Sequence, residues 1–207
     1  MYRKYIKRLI DIVLSFCGLV VLAIPMVILA VIVKLDSKGP VLFWQKRVGL
    51  NKEIFMMPKF RSMYTETPSE MPTHLLNDPS RWITPVGKVY RKLSLDELPQ
   101  ILCILTGKMS IIGPRPALWN QFDLIEERDK YGANDVRPGL TGWAQINGRD
   151  ELEIPVKAKL DGEYVEKMSF LFDCKCFLGT IFAVLRHDGV VEGGTGAMNN
   201  EKDEASE

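Results

Sequence analysis

The chain has 207 residues, with 27 Lys and Arg against 26 Asp and Glu, a formal net charge of +1 and 46% hydrophobic residues. That size suits one domain with a core plus appendages, and the near-neutral charge argues against a nucleic-acid partner. Cys17, Cys103, Cys174 and Cys176 contain no Cys-x-x-Cys and sit among apolar residues, and His74 and His187 are the only histidines, which argues against a zinc centre and for a reduced, cytosol-facing protein.

The N-terminal arm carries Arg3, Lys4, Lys7 and Arg8 with Tyr2 and Tyr5 between them, a pattern that attracts anionic lipid. From Ile12 to Val33 there is no charge, a run of about 22 residues, enough to span a bilayer. It is longer than a signal-peptide core, and no small-x-small cleavage site follows it. Pro25 lies near its middle, where it kinks or breaks a helix. Lys34, Lys38, Lys46 and Arg47 put positive charge beyond it as well, so the charge rule gives no orientation. Two readings fit: a kinked spanning helix, or a re-entrant helix-break-helix at Ile24-Pro25 that leaves by the face it entered. Asp11, at the membrane edge, is placed to pair with Lys7 or Arg8.

Gly39-Pro40 ends the segment. Val41 to Arg47 reads as a strand, Gly49 to Lys52 as a turn, and Ile54 to Met63 as a second strand able to pair back in a small β-hairpin. Alternation puts Lys59 and Arg61 on one face. Thr65 to Pro85 holds Pro68, Pro72, Pro79 and Pro85 and reads as a long irregular loop, a candidate active-site flap. Val86 to Leu93 is expected to form a short helix.

Next comes Ser94-Leu95-Asp96-Glu97-Leu98-Pro99-Gln100, two adjacent carboxylates opening an apolar helix just after Arg91-Lys92. Ser94-x-x-Glu97 fits a capping box, and acidic residues favour a helix N-terminus. Pro99 fits better if the helix starts at Asp96, where its missing N–H has no intrahelical partner. Capping and chemistry both fit this spacing.

Beyond Gly107, Gly113-Pro114-Arg115-Pro116 forms a rigid turn that presents a guanidinium. Leu118 to Tyr131 reads as a charged amphipathic helix stopped by Gly132. Val136 to Arg149 combines turn formers with Arg137, Trp143 and Gln145, a candidate binding loop for anions and ring-bearing ligands. Pro155 to Lys167 looks helical. Phe170 to Arg186 is apolar but interrupted by Asp173 and Lys175, which suits a helix in the membrane interface or the core. From Gly193 the chain is Gly-rich, then acidic, and reads as disordered.

Five blocks together closely resemble the bacterial sugar transferase family, the monotopic phosphoglycosyl transferases. They are Phe43 to Gly49, Lys59 to Met63, Arg91 to Gln100, Met109 to Pro116 and Val136 to Arg149, in the family's order and spacing. The resemblance runs from about Tyr5 to Glu192. It implies an α+β, mostly helical fold: a basic arm and re-entrant anchor over residues 1–38, and a catalytic domain over 39–192 with a small β-hairpin and amphipathic interfacial helices around a cytosolic active site. The acidic tail over 193–207 reads as disordered from its composition. Family members often carry Ser-Pro at the membrane break, where this chain has Ile24-Pro25.

The implied activity is transfer of a sugar-1-phosphate from a UDP-sugar to polyprenyl (undecaprenyl) phosphate, releasing UMP, at the cytosolic face of the bacterial inner membrane. By that resemblance Asp96 is the nucleophile of a ping-pong reaction and Glu97 holds Mg²⁺. Lys59, Arg91 and Arg115 contact phosphate, and Arg61, Arg137 and Gln145 join them as substrate-binding candidates. Membrane lipids are expected partners, nucleic acid is not, and the resemblance leaves room for a homodimer. The alternative is a non-catalytic membrane scaffold of a glycan-assembly complex, against which the intact Asp96-Glu97 pair speaks.

Overall fold

The computed structural model describes residues 1–67, 81–148 and 152–186. The expected acidic tail, most of the expected flap, His74, His187 and Arg149 lie outside the described residues.

A π-helical turn, Tyr2–Ile6, leads into α1, Lys7–Asp36. This helix has the reverse of a soluble helix's amphipathicity. Its buried residues near the N-terminus are Lys7, Asp11 and Ser15, spaced four apart on one stripe, while Leu9, Phe16, Val20, Val21 and Ile24 are exposed. Tyr2–Asp36 is long and apolar enough to cross a membrane by length and composition. The separation into two helices expected at Ile24-Pro25 is not seen, because α1 is assigned as one helix with Pro25 inside it. A single proline removes one N–H donor and displaces one carbonyl, a defect that a long helix can absorb as a kink.

Both ends of α1 are tied to the same body. At the start, the Lys7 ammonium donates to Asp173 Oδ2 at 2.5 Å, the Arg8 guanidinium to the Ile104 and Leu105 carbonyls, and the Ile111 N–H to Asp11 Oδ1 at 3.0 Å. Asp11 therefore pairs with a backbone amide, and Lys7 pairs with Asp173 instead. At the far end, the Tyr90 hydroxyl donates to the Leu29 carbonyl at 2.9 Å.

Strands β1 (Leu42–Val48) and β2 (Ile54–Phe60) pair antiparallel, with Phe43 opposite Lys59 and Arg47 opposite Phe55. Between them a 3-10 turn, Leu50–Lys52, takes positive φ at Asn51 and Lys52. Helix α2 (Pro85–Lys92) starts with Thr84, whose hydroxyl accepts the Gly87 N–H at 2.9 Å, and with proline in its first turn. A 3-10 helix, Leu95–Gln100, continues into α3 (Ile101–Leu105), which Gly107 ends at φ +85°.

The remaining elements are β3 (Ser110–Ile112), α4 (Phe122–Asp129), β4 (Gly139–Thr141), α5 (Trp143–Ile146), α6 (Ile154–Lys167) and α7 (Phe170–Arg186). β3 and β4 pair in parallel, Ser110 opposite Gly139 and Ile112 opposite Thr141. Among the described residues the fold is thus mostly helical with two small sheets. Phe55 and Met57 of β2 pack with Cys103, Ile104 and Met109, placing the first sheet against α3. Phe60 and Tyr90 pack on Val33 of α1. A buried pair, Arg128 donating through Nε at 2.8 Å and Nη2 at 2.5 Å to Asp161 Oδ2, joins α4 to α6.

Candidate active site

The carboxylates Asp96 and Glu97 lie in the first turn of the 3-10 helix that precedes α3. Ser94 occupies its cap position in the left-handed region, φ 55°, and its side chain caps nothing. The turn opens instead with the Glu97 N–H on the Ser94 carbonyl at 3.3 Å. Pro99 supplies no N–H to the Asp96 carbonyl one 3-10 turn before it, which suits a helix entrance made by the backbone bend. The capping box suggested by the spacing is therefore absent. Glu97 faces side chains from two other elements.

Lys59, near the end of β2, donates to Glu97 Oε1 at 2.9 Å. Arg115, from the Gly-Pro-Arg-Pro turn, donates to the same oxygen at 2.7 Å and to Oε2 at 3.4 Å. Burial alone would raise the Glu97 carboxyl, but Arg115 and then Lys59 overcome it and hold the group well below the usual carboxylate range. Asp96 behaves differently. It is 8% exposed, and its carboxylate accepts no hydrogen bond among the described residues. Burial raises its pKa, opposed by Lys59, assisted by the neighbouring Glu97 charge and opposed again by Arg91 and Arg115. One carboxylate is locked between cations, and its neighbour is buried with its oxygens uncommitted among the described residues.

The turn that carries Arg115 is fixed by backbone contact. A Cβ on Gly139 would lie 2.1 Å from the Gly113 nitrogen, and one on Gly142 would lie 2.1 Å from the Gly113 oxygen. Only glycines permit this crossing, which the Gly113 N–H to Thr141 carbonyl and Gly139 N–H to Pro114 carbonyl bonds, both 2.8 Å, close. Asp96, Glu97, Lys59 and Arg115 come together in this way, and Arg91, in the last turn of α2, acts on Asp96 through its charge.

Three of the sequence candidates lie elsewhere. Arg61 follows β2 but turns away from Lys59. It is 7% exposed and donates to the Lys38 carbonyl at 2.9 Å, the Ser37 carbonyl at 2.6 Å and Ser37 Oγ at 2.9 Å. The strand ends at Phe60, so the alternation that would align the two cations stops one residue short, and the free carbonyls at the end of α1 take the guanidinium. Arg137 donates through Nε to the Gly107 carbonyl at 2.8 Å, at the far end of α3. Gln145 folds back on β4, its amide donating to the Leu140 carbonyl at 3.0 Å.

Sequence reasoning missed Asp173 as a structural hub. Besides Lys7, it accepts from the Tyr2 hydroxyl at 2.5 Å and the Tyr164 hydroxyl at 2.8 Å, joining the arm, α6 and α7. A lone carboxylate inside an apolar segment was the available signal, since such a group needs partners to be buried.

No cluster of three or more His, Cys, Asp and Glu side chains gathers among the described residues. Among the described residues, the neighbouring carboxylates Asp96 and Glu97 are donors available to a divalent cation. They suit Mg²⁺ held by one or two carboxylates together with substrate phosphate, rather than a self-contained protein cage.

The family profile of the bacterial sugar transferases matches residues 2–187. The chain is 39% identical over 185 residues to the uncharacterized sugar transferase EpsL of Bacillus subtilis (strain 168), covering 89% of this chain and 90% of that one. It is 40% identical over 187 residues to the UDP-glucose:undecaprenyl-phosphate glucose-1-phosphate transferase of Escherichia coli (strain K12), covering 86% of this chain and 40% of the relative. To the UDP-N-acetylgalactosamine-undecaprenyl-phosphate N-acetylgalactosaminephosphotransferase of Aeromonas hydrophila it is 37% identical over 187 residues, covering 87% of this chain and 44% of the relative. The chain thus spans less than half the length of the latter two.

Proposed function

This chain belongs to the bacterial sugar transferase family, and on that premise we propose that it moves a sugar-1-phosphate from a UDP-sugar to undecaprenyl phosphate through a covalent intermediate on Asp96. The observation that carries this reading is the buried Asp96 carboxylate, which accepts no hydrogen bond among the described residues and stands beside Lys59, Arg91 and Arg115. An Asp96 oxygen attacks the β-phosphorus of the donor, the bond from that phosphorus to the bridging oxygen breaks, and UMP leaves with the electron pair. An oxygen of the lipid phosphate then attacks the aspartyl phosphosugar, restoring the Asp96 carboxylate and forming the lipid diphosphate. One phosphoanhydride replaces another, so no external energy source is needed.

Lys59 and Arg115 neutralise the transferring phosphoryl oxygens, where most of the catalysis lies. Glu97 and the incoming diphosphate would hold Mg²⁺, which supplies charge neutralisation at the phosphates. Lys59 and Arg115, which hold the Glu97 oxygens, would turn to the diphosphate when it binds.

The membrane anchor is re-entrant in this reading, entering and leaving at the cytosolic face of the inner membrane. What supports it is that Lys7 and Arg8 at one end of α1, and Leu29 and the carbonyls met by Arg61 at the other, bind the same body. The exposed apolar residues Phe170, Leu171, Leu178 and Phe182 of α7 add a second surface suited to the membrane interface.

The test is incubation of the full chain with Mg²⁺ and a panel of UDP-sugars labelled in the sugar, without lipid. Labelled protein and UMP release are expected, both lost in Asp96→Asn. Label retained by that variant, or absent with every donor, would overturn the mechanism.

A further inference from the structure

Two guanidiniums meet the carbonyl end of α3. Arg8, at the start of α1, donates to the Ile104 carbonyl at 2.6 Å and the Leu105 carbonyl at 2.8 Å. Arg137, just before β4, donates to the Gly107 carbonyl at 2.8 Å. They flank Gly107 closely: a Cβ there would sit 3.2 Å from Arg8 Nη2 and 3.4 Å from Arg8 Cζ. One arginine would satisfy the end of so short a helix, and a second beside it adds like-charge repulsion. Neither forms an ion pair among the described residues. The carboxylate on the same stripe of α1, Asp11, is committed to the Ile111 amide. Both arginines keep N–H donors beyond these bonds, and the neighbouring Lys108 is exposed.

The position says which anion fits. Arg8 stands where the exposed apolar surface of α1 begins, next to Leu9, and Leu102 of α3 is exposed as well. A cationic pair at the edge of such a surface lies at headgroup depth. Asp96 is nine residues back along the helical run, about 15 Å away, so a phosphate held here is not the one that reacts. We propose that Arg8 and Arg137 form a binding site for the phosphate of an anionic membrane-lipid headgroup, separate from the Asp96 centre. This rests on the membrane reading given above, and its readout is independent of sugar transfer.

The test uses the full chain in bicelles of phosphatidylcholine with a minor fraction of phosphatidylglycerol, and native mass spectrometry to count the lipid retained. Wild type is expected to retain phosphatidylglycerol over phosphatidylcholine, Arg137→Gln to retain it about tenfold less, and an Arg3→Gln/Lys4→Gln variant to lose far less than Arg137→Gln. Millimolar inorganic phosphate is expected not to displace the lipid. If Arg137→Gln does not fold, Arg137→Lys takes its place, because one ammonium cannot cap Gly107 and bind phosphate bidentately. A several-fold loss is expected there. Retention unchanged in either Arg137 variant, equal loss in the arm variant, or displacement by free phosphate overturns the site. A chain that labels at Asp96 yet holds no phosphatidylglycerol overturns this inference alone, and the converse result overturns the transferase reading alone.

Discussion

Arg115 grips Glu97 through both carboxylate oxygens, at 2.7 and 3.4 Å, while Lys59 shares the nearer oxygen at 2.9 Å. The carboxylate is thereby held ionised in a nearly buried place. Its pKa is depressed on folding, so the stability it contributes is present above its unfolded value of about 4.3 and is lost as pH falls through the folded value. Glu97→Gln is expected to lower the melting temperature at pH 7, leaving Lys59 and Arg115 facing a weaker acceptor. The gap to wild type should close on acidification. Thermal unfolding across pH checks this, and a gap constant with pH would refute it.

Asp96 carries the opposite sign. Its pKa is raised chiefly by burial, so it favours the folded state when protonated. That contribution is complete below about pH 3.9 and is lost as pH rises through the folded value. Asp96→Asn is therefore expected to melt higher than wild type at pH 7 and to converge with it in acid, although it abolishes labelling by UDP-sugar. A buried carboxylate kept at the expense of stability is the pattern of a functional residue. The same shift sets the acid limb of labelling, whose midpoint is expected above the ordinary aspartate value. Equal melting temperatures at neutral pH would contradict the assignment of Asp96 as a buried, uncommitted carboxylate.

Much of this arrangement is legible in the sequence wherever local chemistry dominates. The strand expected over Val41 to Arg47 is found at Leu42–Val48, the helix expected over Val86 to Leu93 at Pro85–Lys92, and the apolar segment from Phe170 is helical, whereas the helix expected over Leu118 to Tyr131 is confined to Phe122–Asp129, ahead of the left-handed Gly132. The meeting of Lys59, Glu97 and Arg115 does not, because it joins residues 18 and 38 positions apart. Neighbour-in-sequence logic also misassigns Arg61 and Asp11. Each is claimed by backbone groups of a distant element, the carbonyls of Ser37 and Lys38 and the amide of Ile111. Orphan groups at helix and strand ends compete for side chains, and only the tertiary fold says which are orphaned.

Gly142 gives a third prediction. Its Cβ would fall 2.1 Å from a backbone oxygen of Gly113, two residues before Arg115. Gly142→Ala must push that strand crossing apart, at a cost of about 1–3 kcal/mol or more. Because the displaced segment carries Arg115, labelling should fall by more than the loss of folded protein explains. Comparing the labelled fraction with the folded fraction by circular dichroism separates the two. A variant that is destabilised but labels normally per folded molecule would show that the crossing does not position Arg115.

The two attachments of α1 should act independently, since Lys7 and Arg61 share no partners and meet opposite ends of the helix. Lys7→Met leaves the Asp173 carboxylate buried with only the Tyr2 and Tyr164 hydroxyls, a loss of about 3–5 kcal/mol locally. Arg61→Met strips donors from the carbonyls of Ser37 and Lys38 at the other end. Amide hydrogen exchange in detergent is expected to show residues 2–12 losing protection in the first variant while 33–39 keep it, and the reverse in the second. An anchor that enters and leaves at one face needs both attachments to the same body, whereas a spanning helix would need only one there. Loss of protection at both ends in either variant would mean that α1 docks as a single unit. Protection unchanged at 33–39 in Arg61→Met would remove the second attachment, and with it the physical ground for a re-entrant anchor.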